Sequence, residues 1–175
     1  MTTVIVNRKT GKVYSDSRLT HTNISGVFRT KEEYSYTNGD KIFSVHKHII
    51  TGSGSLRVLH EVVDRFHMKK LLPKVFYFRD KYDSENTCIL VTKKTLGENY
   101  TASYELYVEH LPFGWKRVKV TKEFLGEDVS LSVRGSGMCL AIGALEQGAT
   151  PEEAIKIASR HDMYTDDTIR IFDVP

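Results

Sequence analysis

The sequence predicts an α+β domain in which helices lie over β-sheets, and three observations carry that expectation. A β-type run, Thr3-Val4-Ile5-Val6, begins almost at the N-terminus, and another over residues 168–174 closes the chain. Between them, apolar residues recur at helical spacing in one early and two late segments. A series of shorter β-type runs separates the early helix from the late pair. At 175 residues the chain suits one domain, 1–175, with a sizeable core, and no linker or repeat divides it.

Thr10-Gly11 supplies the first turn, and residues 12–15 return as a strand. A longer β region spans 41–50, Lys-Ile-Phe-Ser-Val-His-Lys-His-Ile-Ile, and stops at Thr51-Gly52-Ser53-Gly54-Ser55. The period then changes. Leu56, Leu59, Val62, Val63 and Phe66 make an amphipathic helix over 55–70, with Ser55 as its N-cap. Residues 71–85 are poorly patterned, and Pro73 interrupts them. Strands are expected at 87–92, 103–109, 115–121 and 129–134, separated by Gly-Glu-Asn, Pro-Phe-Gly and Gly-Glu-Asp. Tyr104, Leu106 and Val108 alternate with polar residues, as a half-buried strand should. Met138, Ala141, Ile142 and Leu145 form one face of a helix that Gly148 can close. Thr150-Pro151-Glu152-Glu153 has the cap, the proline and the glutamate of a helix start. Ala154, Ile155, Ile157 and Ala158 carry that helix to about Met163, and Asp166-Asp167 breaks it.

Composition excludes several function classes. A net charge of +3 is too small to argue for a nucleic-acid or membrane-surface partner. The short clusters Lys69-Lys70, Lys93-Lys94 and Lys116-Arg117 with Lys119 read as solvated faces. No apolar run reaches membrane-spanning length, and MTTVIVNRKTG lacks a signal pattern, so a cytoplasmic location is expected. Cys88 and Cys139 lack metal-ligand spacing and read as core thiols in a reducing compartment. His46 and His48 share one face of the 41–50 strand but have no third ligand, so no metal is expected, and no cofactor. His60, His67 and His161 fall on helices, and Trp115 with its aromatic neighbours is assigned to packing.

Several stretches, taken in order, point to one family. Thr2-Thr3-Val4-Ile5-Val6 resembles the mature N-terminus of proteasome β-subunits and the HslV-type peptidase. Ser15-Asp16-Ser17-Arg18-Leu19-Thr20 is similar to the family's Ala-Asp-Ser-Arg-x-Thr segment, and Lys41-Ile42 to its lysine strand. Thr51 to Leu56 stands at the small-residue oxyanion turn that leads into a helix. Arg134-Gly135-Ser136-Gly137 resembles the Gly-Ser-Gly turn, and Arg160-His161-Asp162-Met163-Tyr164-Thr165 the Arg-Asp-x-x-Ser tail. The resemblance implies a four-layer αββα sandwich of the N-terminal nucleophile (Ntn) hydrolase type. It also shows departures: Thr2 to Asp16 and Lys41 to Ser53 are each about two residues short, removing about 7 Å of strand. The segment after the first helix is too short for the family's second helix. Pro112-Phe113-Gly114-Trp115 lies in a lengthened loop and is a candidate contact surface.

By resemblance, Thr2 is the nucleophile after removal of Met1, and its own α-amine, titrating near pH 8, is the base. Lys41 is the partner that keeps the amine uncharged by like-charge repulsion, and Asp16 orients and balances that lysine. Backbone N–H groups of Gly52, Ser53 and Gly54 at a helix N-terminus form the oxyanion hole. Ser136, Asp162 and Thr165 match the accessory group that positions the amine and a water. The implied activity is hydrolysis of a peptide or unfolded protein by a homo-oligomer, a ring or ring-derived assembly, with an ATP-dependent unfoldase as a further partner. Two readings compete with it: a catalytically silent assembly or binding protein on the same fold, and an amidase acting on a small non-peptide amide, since the threonine chemistry does not specify the acyl group.

Overall fold

The computed structural model of the chain describes residues 2–25, 31–70, 73–79, 86–95, 98–124 and 130–175. It opens with β1 (Thr3–Asn7), β2 (Lys12–Asp16), β3 (Arg18–Ser25), β4 (Lys31–Asn38), β5 (Ile42–Val45) and β6 (His48–Ser53). Helix α1 (Leu56–His67) follows, then β7 (Val75–Arg79), β8 (Asn86–Thr95), β9 (Glu98–His110) and β10 (Trp115–Phe124). The chain closes with β11 (Leu131–Gly135), α2 (Met138–Glu146), α3 (Pro151–Ser159) and β12 (Ile169–Asp173). The strands form an antiparallel four-stranded sheet, β11-β1-β2-β12, an antiparallel six-stranded sheet, β5-β6-β8-β9-β10-β7, and the hairpin β3-β4.

Side-chain alternation decides what each face meets. Ile5 of β1 packs with Tyr14, Val133 and the small faces of α2 and α3, where Ala141, Ala154, Ile155 and Ala158 are buried. Val4 and Val6, pointing the other way, meet Ile42, Ile49, Cys88 and Leu90 of the six-stranded sheet. Ile50, Ile89 and Val91 on that sheet's opposite face meet Val58, Leu59, Val62 and Val63 of α1. Strands β1 and β8 are thus apolar on both faces, which is why they read as unbroken apolar runs. Each fully buried Ile or Leu among them contributes about 1.5–3 kcal/mol.

Helix ends follow local chemistry. Ser55 Oγ accepts from Val58 N at α1, and Thr150 with Glu153 completes a capping box at α3. Gly148, at φ +89°, takes the left-handed conformation just past α2. Helix α3 stops at Ser159, short of Met163, because an Asp162 side-chain oxygen captures Tyr164 N at 3.2 Å and opens a turn instead. His161 therefore lies beyond the helix.

Other expectations also need correction. Residues 41–50 are two strands, since Val45 pairs with His48 and leaves His46-Lys47 as a two-residue loop. His46 turns the chain at φ +53° without a Gly or Asn to announce it, so His46 and His48 share no strand face. The poorly patterned 71–85 stretch contains β7, held by pairing with β10, and the polar segment 18–38 contains the β3-β4 hairpin. Glu98 and Asn99, read as a turn, belong to β9. Cys88 is buried but Cys139 is exposed on α2. Trp115 and Phe113 are 46% and 88% exposed, so the aromatic loop at Pro112–Gly114 does not pack into the core. Val129 and the Gly-Glu-Asp turn lie outside the described residues.

Candidate active site

The antiparallel pairing of β1 with β2 sets Val4 opposite Ser15, which brings Thr2 and Thr3, at the start of β1, to Asp16 at the end of β2. Lys41 enters from the residue before β5. Its Nζ lies 2.7 Å from Thr2 Oγ1 and 3.0 Å from Asp16 Oδ2. Thr2 Oγ1 in turn donates to Asp16 Oδ1. The shortened strand spacings thus leave Asp16 and Lys41 in direct contact.

All three are buried, with Thr2, Asp16 and Lys41 at 1%, 0% and 4% exposure, so the charges of Asp16 and Lys41 act with little screening by water. Burial pushes the Lys41 ammonium below the usual lysine range, while the charge and hydrogen bond of Asp16 work to hold it up. Asp16 is itself well satisfied. Its Oδ1 accepts from Thr3 N at 2.8 Å, and its Oδ2 from Arg18 N at 3.0 Å and Asp166 N at 3.4 Å.

The accessory residues form a second group. Ser136 Oγ and Thr165 Oγ1 each lie 2.6 Å from Asp162 Oδ2. Thr3 joins the two groups: its N–H donates to Asp16, and its Oγ1 lies 2.7 Å from Thr165 Oγ1. The glycines of the Gly-Ser-Gly turn are there for close approach. Gly135 pairs with Thr3 at φ +110°, and a Cβ on it would stand 1.7 Å from the Thr2 carbonyl oxygen. A Cβ on Gly137 would stand 2.2 Å from Thr3 Oγ1.

Gly52 and Ser53 end β6, and Gly54, at φ +99°, turns the chain into the Ser55 cap of α1. The turn therefore sits at a helix N-terminus as expected, and no hydrogen bond among the described residues joins it to Thr2. Among the described residues, no three His, Cys, Asp or Glu side chains cluster as metal ligands.

Sequence reading missed three members of this constellation. Thr3 looked like one more residue of a β run, and Ser17 stood in the Asp16-Ser17-Arg18 segment with no role of its own. Asp166 looked like a helix breaker, yet it is 7% exposed and accepts from Ser17 N at 3.0 Å and Ser17 Oγ at 3.1 Å. A buried acid one residue beyond a motif carries no signal of its partner in the linear chain.

No family model and no curated protein sequence matches the chain. Among solved structures, Thiobacillus denitrificans BPH in complex with epoxomicin is similar to it, with a TM-score of 0.56 at 12% identity. The alignment covers 99% of this chain and 99% of that one. At that identity the likeness shows the fold, which is proteasome-like and shared with a bacterial proteasome homologue.

Proposed function

We propose that this chain is a threonine peptidase of the Ntn-hydrolase type, acting through Thr2 once Met1 has been removed. The observation that carries the reading is the buried triad of Thr2 Oγ1, Asp16 and Lys41, with Lys41 Nζ 2.7 Å from the hydroxyl. The three stacked apolar clusters, from α2 and α3 through both sheets to α1, support a four-layer αββα sandwich.

In this mechanism Thr2 Oγ attacks a peptide carbonyl, and its proton passes to the free α-amine. The Oγ–C bond forms as a tetrahedral adduct, and backbone N–H groups near Gly52, Ser53 and Gly54 would receive its oxyanion. The C–N bond then breaks, and the amine's proton leaves with the departing peptide amine. Water adds to the ester with the amine again as base, releasing the acid and restoring Thr2. The ammonium of Lys41 favours the developing negative charge on Oγ and disfavours a second positive charge on the amine. Asp162, held by Ser136 and Thr165, positions the amine and the water. Exposed Leu140 and Ile142 on α2 fit a homo-oligomer, and the assigned substrate is a peptide or unfolded protein in the cytoplasm.

A Thr2→Ala protein should lose peptide hydrolysis by about a thousandfold or more. Equal rates in parent and variant would end the proposal. The second reading, a silent binding protein on the same fold, draws on the 1% exposure of Thr2. A parent that is processed, folded and inert toward peptides would favour it.

A further inference from the structure

We infer that Asp166 is a positioning residue of the Thr2 site, pinning the Asp16–Ser17–Arg18 turn and supplying the second negative charge that offsets Lys41 and Arg18. The inference rests on the peptidase reading for its catalytic consequence, but its geometry stands alone. Asp166 is 7% exposed, and its Oδ1 accepts from Ser17 N at 3.0 Å and Thr168 N at 3.3 Å. Its Oδ2 accepts from Ser17 Oγ at 3.1 Å, and its own N–H reaches Asp16 Oδ2 at 3.4 Å. The carboxylate therefore ties the segment after β2 to the C-terminal tail, one residue beyond Thr165.

Charge count gives the turn a second meaning. Asp16 from β2 and Asp166 from the tail both help Lys41 keep its proton, and Arg18 from β3 opposes them. A protonated Thr2 amine would add a further cation beside Lys41, which favours the free-base amine that nucleophilic attack requires. Without Asp166, one of the two carboxylates that hold the Lys41 proton is gone. Lys41 then gives up its proton more readily, and the hydroxyl loses its cationic partner at lower pH. Asp166 touches no reacting atom, so its effect reaches Thr2 through Asp16 and Lys41.

The test uses Met1-processed protein and compares the parent with Asp166→Asn, which keeps the shape and one acceptor oxygen but removes the charge. NMR titration of labelled lysine side chains, with Lys41→Met to assign the signal, reads the Lys41 ammonium directly. The rate of Thr2 adduct formation with an epoxyketone is followed across pH by intact mass. Asp166→Asn should lower the Lys41 midpoint by about one pH unit and move the alkaline limb of the adduct profile by the same amount. Ser17→Ala, which keeps the carboxylate, should leave that midpoint in place, separating charge from a merely structural role. An unmoved Lys41 midpoint in folded Asp166→Asn would overturn the inference. If that variant does not fold, Asp166→Glu takes its place: keeping the charge, it should hold both midpoint and adduct rate, and a fall of about one pH unit in the Lys41 midpoint would overturn the inference. A shifted midpoint in a protein whose parent forms no adduct upholds the role of Asp166 and ends the peptidase reading.

Discussion

Replacing Lys41 by Met removes the ammonium from a carboxylate that is 0% exposed and keeps the aliphatic stem. At the observed 3.0 Å separation and an effective dielectric constant of about 20, the Lys41–Asp16 attraction is about 5.5 kcal/mol. The variant recovers the desolvation cost of the buried ammonium but leaves Asp16 charged and without its cation. Breaking one side of such a pair costs about 3–5 kcal/mol. For a domain of this length, 4 kcal/mol corresponds to a fall in Tm of about 8–16 °C. Calorimetry at neutral pH and moderate salt reads it. The double variant Lys41→Met with Asp16→Asn has no stranded charge and should regain a large part of the loss, a coupling that a double-mutant cycle measures. A single variant within about 2 °C of the parent, or a double variant no better than the single, would refute the buried pair as the element that holds the site together.

Three further outcomes follow from the same geometry. Gly135→Ala forces a Cβ to 1.7 Å from the Thr2 carbonyl oxygen at φ +110°, so a loss of more than about 2 kcal/mol and of Thr2 reactivity is expected. Equal stability in denaturant would show that the close approach is absent. Thr3→Val keeps the volume but cuts the Thr165 link, and should slow adduct formation at Thr2 about tenfold or more with Tm lowered by only a few degrees. An unchanged adduct rate would remove Thr3 from the site. Burial pushes the Cys88 thiol up to about 11, so a maleimide at pH 7.5 should label exposed Cys139 and spare Cys88 in the folded protein. Peptide mapping decides between them.

Segments whose structure is local were legible in the sequence. The Ser55 and Thr150 caps, the helical spacing of Leu56, Leu59, Val62 and Val63 and the turn at Gly148 all depend on residues within a few positions of each other. Strand β7 and the β3-β4 hairpin were not legible, because pairing partners rather than alternation hold them, as Val75 is held opposite Lys119. The His46-Lys47 turn was hidden because it uses His46 in the left-handed region instead of glycine. At the site, Thr2, Asp16, Lys41, Ser136, Asp162 and Thr165 were visible as an ordered set of motifs, and the fold brings them into two hydrogen-bonded groups. The connection between the groups was not visible. Thr3 bridges Asp16 and Thr165, which stand 149 positions apart in the chain, and Asp166 meets Ser17 across an equal distance. Such contacts exist only once β1, β2 and the tail have been brought together.

The claim that Thr2 is a free and activated nucleophile is met most directly by intact mass. Protein made in a cell with normal methionine processing is weighed before and after an epoxyketone, beside Thr2→Ala. Loss of Met1 and one stoichiometric adduct, absent from Thr2→Ala, is the expected result. A retained Met1 with no adduct would contradict it and leave a proteasome-like fold without the chemistry.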